Sequence, residues 1–317
     1  MATFTKLPLD EARRLVSRYG ISGTIHVRPV AGGSVNSNYR IDVENGESLF
    51  VRLYEEQDEE GARWDVALVS YLAARGVPTP CPLTHAGGAL AHASGKPAAL
   101  FPFVTGVQTC QLAVDARRAF AAGAALAKVH VAGAAFPDPR VGRFEPDALR
   151  ARLPRVAAAT DPVLAAMADE WARRSATWEA ARAPSLPSGV IHGDLFRDNV
   201  LFRDEGSDEI VAIFDFESAS TGRFAFDLGV AILAWCFADG LERDLARAMI
   251  GGYESVRPLE AAERAGLRAE LALGALRFAL TRITDYALRE GALGARVVKD
   301  WRRFWARLEA VERGEAG

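Results

Sequence analysis

The chain has 317 residues, half of them hydrophobic and a quarter charged, which is the composition of a globular protein large enough for two subdomains. Its formal charge of −3 argues against a nucleic-acid partner, because nucleic-acid-binding proteins carry basic surfaces. The start has no apolar signal-peptide core and no run is long enough for a membrane span, so a cytoplasmic protein without membrane contact is expected.

The first hundred residues have the periodicity of a sheet that carries one or two helices. Residues 8–19 place apolar side chains at helical spacing, which predicts a first helix. From about residue 25 to 54 the apolar period is two, and two alternating runs meet at Asn45-Gly46, a strong β-hairpin signal. A helix is predicted up to Arg75. Further short strands are predicted around residues 81–84, 89–92 and 97–104.

The remaining chain is mainly helical in pattern. Ala/Leu/Arg-rich helical segments are predicted at residues 114–131, about 145–182 and most of 224–313. Two short strand pairs are predicted around residues 190–216. We therefore expect an α+β fold with two lobes. An antiparallel sheet lobe is predicted for residues 1–104, a hinge near 101–106, and a larger helical lobe for 105–317.

The segment "VIHGDLFRDNVLF" (residues 190–202) sets polar side chains between apolar ones, and a second apolar strand leads into "FDFESA". Together these segments supply Asp194, Asn199 five positions later, and Asp215. Phosphoryl transfer from ATP needs a carboxylate near the attacking hydroxyl and hard oxygen ligands for magnesium, and this set of residues meets both needs. The alternative for any one of them alone is a turn cap, with His192 as a satisfied core histidine.

A metal-dependent hydrolase is a competing interpretation, because His192, Asp194 and Asp215 could bind zinc or manganese. The sequence has five histidines and none forms an HxxxH or HxH pair, which argues against it. The three cysteines are widely spaced and are expected to be buried thiols rather than disulfides or metal ligands. These cysteines are Cys81, Cys110 and Cys236.

A glycine-containing turn in "VAGGSVNSNYRI" (residues 30–41) joins the first strand to the second. Small donors beside backbone glycines suit phosphate oxygens, although a plain tight hairpin explains the same pattern. The predicted phosphate-binding residues of this turn are Gly32, Gly33, Ser34 and Asn36. Arg52, in the strand that follows, is either a solvated cation on the outer face or a phosphate-binding side chain.

Two further polar residues are predicted to have supporting roles. Asp227 in "RFAFDLG" lies at a strand-to-helix boundary, where it caps the helix or ties down the loop that contains Asp194. His130, which closes "GAALAKVH", is expected to be a structural hydrogen-bonding residue rather than a catalyst, and His192 is expected to support the same loop.

Taken in order, these motifs resemble the aminoglycoside phosphotransferase and choline kinase superfamily, whose fold is protein-kinase-like. The resemblance covers nearly the whole chain, from the glycine hairpin through "FPFV" (residues 101–104) and "LAKVH" to the HxDxxxxN loop, "FDF" and "FDLG". It implies that Asp194 is the catalytic base and that Asn199 and Asp215 bind Mg2+. It also implies that ATP is the nucleotide, bound in part by Phe101 and Phe103. Arg52 stands where the family often has a phosphate-binding lysine.

Softer segments, among them "GGSVNSNYRI", "GGYESVRPLEAAE" and "ALRFALTRITDY", resemble the bacterial homoserine kinases of threonine biosynthesis. This resemblance implies L-homoserine as the acceptor, held by charged side chains. The candidates for these charged side chains are Arg197, Glu217 and Arg223, with Arg277 and Arg282 also available. The sequence leaves the oligomeric state open.

Other acceptors compete with homoserine. An aminoglycoside needs an acidic pocket, whereas residues 257–317 hold twelve Lys/Arg and nine Asp/Glu. Choline or ethanolamine would need an aromatic cage, to which Trp235, Phe237 and Tyr253 could contribute. Methylthioribose or a sugar stays open. A pseudokinase-like binding protein would be expected to lack the three motif residues, and all three are present.

Overall fold

A computed structural model of the chain describes residues 5–30, 35–238, 240–289 and 299–314. The chain divides into two compact units, residues 1–106 with 211–214, and residues 107–210 with 215–317. The sequence-based division at residue 104 did not include residues 211–214 in the first unit. Residues 211–214 group with the first unit, where the Ile213 amide donates to the Pro78 carbonyl at 2.6 Å. These two residues are far apart in the sequence, so no local pattern predicts their contact.

The first unit is an antiparallel sheet with two helices. Its helices are α1 (Leu9–Arg18) and α2 (Glu59–Ala73). Its strands are β1 (Ile25–Pro29), β2 (Ser37–Val43), β3 (Ser48–Leu53), β4 (Leu90–Ala93) and β5 (Lys96–Pro102). The five strands are arranged in the order β1-β2-β3-β5-β4, and each neighbouring pair is antiparallel.

The predicted hairpin is confirmed and forms the centre of this sheet. Tyr39 pairs with Val51 and Ile41 with Leu49, and all four side chains are buried on one face. Gly46 has a φ of 91°, the left-handed conformation that glycine adopts without a steric penalty. The period-two pattern therefore set the register, because a slip of one residue would expose these side chains.

The second unit is mostly helical. Its helices are α3 (Ala116–Gly133), α4 (Pro146–Arg150), α5 (Leu153–Ala157), α6 (Pro162–Ala180), α7 (Phe224–Trp235), α8 (Arg243–Glu254), α9 (Ala261–Asp285) and α10 (Arg302–Glu312). Short strands in the second half of the chain are β6 (Ser188–Ile191), β7 (Val200–Phe202), β8 (Ile210–Ile213) and β9 (Ser220–Arg223). Strands β6 and β9 pair antiparallel. Within the described ranges, no helix combines the length and apolar character needed to cross a bilayer.

Close helix packing in this unit depends on glycine. A Cβ at Gly252 in α8 would lie 1.9 Å from the Phe120 carbonyl oxygen of α3, and a Cβ at Gly123 would lie 2.0 Å from the Met249 carbonyl oxygen. The two helix backbones therefore touch at positions where no side chain fits. Helix α7 lies in the interior, with 11 of its 12 residues buried.

Three sequence-based expectations need correction. Residues 81–84 form no strand, because the prolines of "VPTPCP" lack the amide hydrogens that a ladder needs. The single helical segment predicted at 145–182 is three helices, and each has a proline in its first turn, where proline favours a new start. Cys81 and Cys110 are exposed; only Cys236 is buried.

Candidate active site

The loop that follows β6 begins with a backbone turn that only glycine fits. Gly193 has a φ of 74°, and a Cβ there would lie 2.6 Å from the Ser218 carbonyl oxygen. The His192 ring also contacts the Phe216 ring, with centroids 4.6 Å apart. The segment that begins at Asp215 is therefore packed directly against the residues that precede Asp194.

Asp227, in the first turn of α7, fixes the backbone of this loop. Its two carboxylate oxygens accept the amides of His192 and Gly193, each at 2.7 Å. Asp227 is fully buried, so these charge-assisted hydrogen bonds form in a dry environment where they are strong. The chain direction at Asp194 is consequently determined by an element that lies 33 residues later in the sequence.

A chain of hydrogen bonds holds Asp227 in turn. His130 Nε2 lies 3.0 Å from Asp227 Oδ2, and its Nδ1 lies 2.7 Å from the Tyr253 hydroxyl. Arg257 donates to the Tyr253 hydroxyl at 3.2 Å and forms two hydrogen bonds with Glu263. A single arrangement of protons lets each group of this chain make its hydrogen bonds: Arg257 donates to the Tyr253 hydroxyl, that hydroxyl donates to His130 Nδ1, and His130 Nε2–H donates to Asp227.

The protonation states follow from burial and from this network. Burial lowers the pKa of His130, so the imidazole is neutral at neutral pH. Burial alone would raise the pKa of Asp227, but the hydrogen bonds that it accepts from His130 and from the His192 amide hold that pKa below its ordinary value. Asp227 is therefore an anion that accepts three hydrogen bonds in the protein interior.

Asp194 follows the two residues whose backbone Asp227 holds, and Asp194 itself is partly exposed. Its amide donates to His192 Nδ1 at 3.2 Å, which assigns the proton of that imidazole to Nε2. Burial and the nearby charge of Asp215 raise the pKa of the Asp194 carboxyl, while the charge of Arg277 opposes them. A carboxylate with a raised pKa is a better proton acceptor, which suits a general base.

Arg277 is a buried cation beside this carboxylate. It donates to the Gly193 carbonyl, and its guanidinium carbon lies 4.0 Å from the ring centroid of Phe144 and 4.3 Å from that of Phe278. Burial lowers its pKa to about 10, so the side chain still carries a charge at neutral pH. Arg277 thus supplies a fixed positive potential at Asp194.

Asn199 and Asp215 carry the kind of oxygen that a hard divalent cation prefers. Asn199 Nδ2 donates to the Asp194 carbonyl at 2.8 Å, which leaves its Oδ1 as an available oxygen. Asp215 adopts the left-handed conformation, with φ 69° and ψ 60°, an arrangement that concentrates at functional sites in non-glycine residues. An amide oxygen and a carboxylate suit Mg2+, which takes its other ligands from phosphates and water.

The far side of the loop is anchored on α7. Trp235 Nε1 donates to the Leu195 carbonyl at 2.9 Å, and Arg197 donates to the Ala234 carbonyl. Trp235 is fully buried, and Tyr253 is both fully buried and committed to His130. These two side chains are therefore structural, and they are not positioned to form the aromatic cage that a choline kinase would need.

The predicted substrate residues do not share one environment. Arg223 donates to the Ala183 carbonyl at 2.7 Å and pairs with the buried Glu270 at 3.2 Å, so its charge is compensated within the fold. Glu217 follows Asp215 in a short 3-10 turn. Arg197 instead lines a cavity with three further arginines, described below.

The predicted nucleotide-binding residues belong to the first unit. Gly32, Gly33 and Ser34 lie outside the described residues. Asn36 Oδ1 accepts the Glu55 amide at 3.1 Å, which uses this oxygen within the fold. Arg52 is 9% exposed, so the alternative of a solvated cation on the outer face is wrong.

The two hinge phenylalanines, Phe101 and Phe103, differ in exposure. Phe101 is buried and its ring lies 6.3 Å from that of Phe50, while Phe103 is partly exposed beneath the Arg40 guanidinium at 4.3 Å. Their part in nucleotide binding stays a prediction.

Several residues of the site were not found from the sequence. Tyr253 and Arg257 complete the hydrogen-bond chain, and Lys299 acts electrostatically on Asp194. Arg303 and Arg307 were also missed, although their spacing of four in a helical segment places like charges on one face. That spacing destabilises a helix, which was the available signal.

Comparisons with known proteins show the family of the chain. Residues 26–259 match the sequence profile of the phosphotransferase enzyme family. The chain is 38% identical to a homoserine kinase of Methylobacterium nodulans, over 90% of this chain and 88% of that protein. It is also 38% identical to a homoserine kinase of Methylobacterium radiotolerans, over 97% and 95% of the two chains.

Solved structures share the fold at low sequence identity. An amicoumacin kinase in complex with AMP-PNP and Ca2+ superposes with a TM-score of 0.69 at 16% identity, over 96% of this chain and 95% of that one. The predicted α+β, kinase-like fold class is confirmed by this likeness and by the antiparallel sheet and helical unit described above. Because the profile spans well over half of the sequence and the relatives align along nearly all of it, the chain belongs to the phosphotransferase enzyme family.

Proposed function

We propose that the chain is a homoserine kinase, which transfers the γ-phosphoryl group of ATP to the side-chain hydroxyl of L-homoserine. The observation that carries the proposal is the similarity, along most of both chains, to several enzymes named homoserine kinase. The products are ADP and O-phospho-L-homoserine. A cytoplasmic location, expected from the sequence, is part of the same proposal.

Asp194 is the proposed general base. It orients the acceptor hydroxyl and takes its proton as the new oxygen–phosphorus bond forms and the bond to the ADP oxygen breaks. A base in this role contributes about 10²–10⁴-fold to the rate. The support for this assignment is the raised pKa of the carboxyl and the backbone that Asp227 holds in place.

Asn199 Oδ1 and the Asp215 carboxylate are the proposed ligands for Mg2+. The bound ion would supply positive charge to the phosphate oxygens during the transfer. The support is the hydrogen bond that turns Asn199 Oδ1 away from the Asp194 carbonyl, and the hard-oxygen chemistry of the pair. Arg52 and the glycine turn at residues 32–34 are proposed for the triphosphate.

A small amino alcohol is the alternative acceptor. The solved structures similar to this chain include one named aminopropanol kinase and one named as a choline/ethanolamine kinase family protein. Neither exceeds 22% identity, so each supports the fold only. The burial of Trp235 and Tyr253 removes two of the three aromatic residues that would have favoured a quaternary ammonium, and the ring centroid of the third, Phe237, lies 5.6 Å from the Arg307 guanidinium carbon.

The proposal is tested by ADP release from ATP and Mg2+ with single acceptors: L-homoserine, choline, methylthioribose and kanamycin. We expect turnover with L-homoserine and rates at background with the others. Turnover with another member of the panel and none with homoserine would reject the acceptor, while the assignment to the phosphotransferase family would stand.

A further inference from the structure

A cavity of about 560 Å³ in the second unit is lined by an unusual set of cations. One wall is formed by Phe196, Arg197 and Asp198 from the loop that contains Asp194. The other walls come from residues 108–111 and from α7, α9 and α10. We name its four arginines the arginine cluster: Arg197, Arg282, Arg303 and Arg307.

The carboxylates of Asp194, Asp198 and Asp300 act on the arginine cluster only at a distance. Among the described residues, no carboxylate forms an ion pair with any of its members, whereas arginines elsewhere in the unit, such as Arg182 and Arg257, pair with buried glutamates. Arg307 is 7% exposed and donates no hydrogen bond to a described residue. Burial and the charges of the other cluster members lower the pKa of Arg307 to about 9.

Aromatic side chains hold these guanidinium groups in place. The Arg282 and Arg307 guanidinium carbons lie 4.4 Å and 4.5 Å from the ring centroid of Phe304. The Phe304 ring stacks on Phe278 at 4.9 Å, and Phe196 completes the group at 5.0 Å from Phe278. Arg282 also donates one hydrogen bond to the Asp300 carbonyl at 2.9 Å, and Arg197 donates one to the Ala234 carbonyl. A guanidinium has five N–H donors, so the cluster keeps further donors for an oxyanion, as arginines in binding sites do.

The cavity is lined by the same loop that contains the proposed base. Its loop wall begins two residues after Asp194, and the charge of Asp194 acts on Arg282. The carboxylate of Asp198 is exposed on the same wall and influences Arg197. A strongly cationic surface with one carboxylate beside it matches the charges of a small zwitterion.

We propose that the arginine cluster binds the α-carboxylate of the acceptor amino acid and that Asp198 binds its ammonium group. This inference rests on the proposed function, and it adds the side chains that distinguish an amino-acid acceptor from an uncharged or cationic alcohol. Burying a carboxylate against arginine gives specificity because an acceptor without the carboxylate leaves the cations unpaired.

The test compares L-homoserine with 3-amino-1-propanol, which is the same molecule without the carboxylate. The test variant is Arg303→Gln, because Arg303 is exposed and its loss leaves the core intact. Arg302→Gln is the matched control on the same helix, since that side chain is 63% exposed and lies outside the cavity. Arg307→Met, which keeps the apolar stem on Phe304, is a second test variant.

We expect Arg303→Gln and Arg307→Met to lower kcat/KM for homoserine by roughly 10- to 100-fold and to leave that for 3-amino-1-propanol unchanged. The Arg302→Gln control should behave as wild type. If the propanol is not turned over, its inhibition constant against homoserine takes the place of kcat/KM and should not change.

Equal losses with both acceptors, or no loss with either, would overturn the inference, and so would a change confined to the KM for ATP, which would assign the cluster to nucleotide phosphates. These outcomes all require a wild-type enzyme that phosphorylates homoserine. Absence of that activity in the wild type would instead reject the proposed function, and the inference with it, so the two failures are distinguishable.

Discussion

Asp194 is placed between opposing electrostatic influences, and their balance is what makes it suited to accept a proton. Burial and the charge of Asp215 raise the pKa of its carboxyl, and Arg277 opposes both. Arg277 is itself held by the Gly193 carbonyl and by the rings of Phe144 and Phe278. A substitution of Asp194 therefore tests the reaction rate, and a substitution of Arg277 tests the pH dependence of that rate.

Replacement of Asp194 by Asn keeps the size of the side chain and removes its basicity. We expect kcat to fall by about 10²–10⁴-fold because the acceptor proton loses its base. Affinity for ATP should stay close to that of the wild type. Steady-state rates and a nucleotide titration check both statements, and a variant with nearly full activity would remove Asp194 from the proposed role.

Replacement of Arg277 by Met should move the acid limb of the pH–rate profile. The base must be ionised, so activity is lost as pH falls through the pKa of Asp194. Without the Arg277 charge that pKa rises further, and we expect the limb to shift to higher pH. Arg277→Lys keeps the charge and serves as the control. Identical limbs in wild type and Arg277→Met would contradict the electrostatic role.

At the level of elements, one hydrogen-bond chain joins three helices to the active-site loop. It runs from Tyr253 in α8 through His130 in α3 to Asp227 in α7, which holds the backbone of His192 and Gly193. Tyr253, His130 and Asp227 are all buried, so loss of one of them leaves a polar group unsatisfied in the interior. The loop geometry and the packing of these helices are consequently coupled.

This coupling predicts a pH-dependent stability. Because burial lowers the pKa of folded His130, the unfolded chain binds a proton below about pH 6.5 that the folded chain does not. The His130 contribution is therefore fully present above that pH and decreases on acidification, by up to about 1.4 kcal/mol per pH unit.

In His130→Gln this slope should be absent, although the variant is less stable at every pH. Urea unfolding at pH 5.5 and 7.5, measured for both proteins, checks the difference. A variant whose stability falls with acid as steeply as that of the wild type would show that His130 does not titrate in this way.

The contact between α3 and α8 gives a second element-scale prediction. Gly252→Ala would press a methyl group into the Phe120 carbonyl, and we expect the free energy of unfolding to fall by about 3 kcal/mol or more. Gly251→Ala is the matched control, because a Cβ there meets no atom within 4 Å. It should stabilise the helix by about 0.5–1 kcal/mol. Thermal or urea unfolding of both variants measures this difference. Equal changes in the free energy of unfolding would contradict the close approach of the α3 and α8 backbones.

For the molecule as a whole, local patterns predicted most of the elements. The hairpin at Asn45-Gly46 followed from period-two alternation, and helix α1 followed from helical spacing. The joint spacing of Asp194, Asn199 and Asp215, with apolar strands flanking each segment, led to the prediction of a phosphotransfer motif. Each of these features is determined by residues close to one another in the chain, so one sequence is enough to predict it.

What the sequence did not predict depends on contacts between distant segments. The arginine cluster draws on three separate regions, at Arg197, Arg282 and α10, and no local pattern places them together. The same holds for residues 211–214, which pack with the first unit, and for Arg223, whose charge is taken by Glu270. Tertiary packing decides which arginines have their charge compensated by a carboxylate, so the proposal of an acceptor site needed the structure.

The most direct test of the account is a competition among acceptors in one vessel. Equal concentrations of L-homoserine, choline, methylthioribose and kanamycin are incubated with ATP, Mg2+ and the enzyme, and early products are quantified by mass spectrometry. The ratio of products reports the ratio of kcat/KM values. The account predicts O-phospho-L-homoserine as the dominant product, formed about 10²–10⁴-fold more slowly by Asp194→Asn. Accumulation of a different phosphorylated acceptor, or equal product from the Asp194→Asn variant, would contradict it.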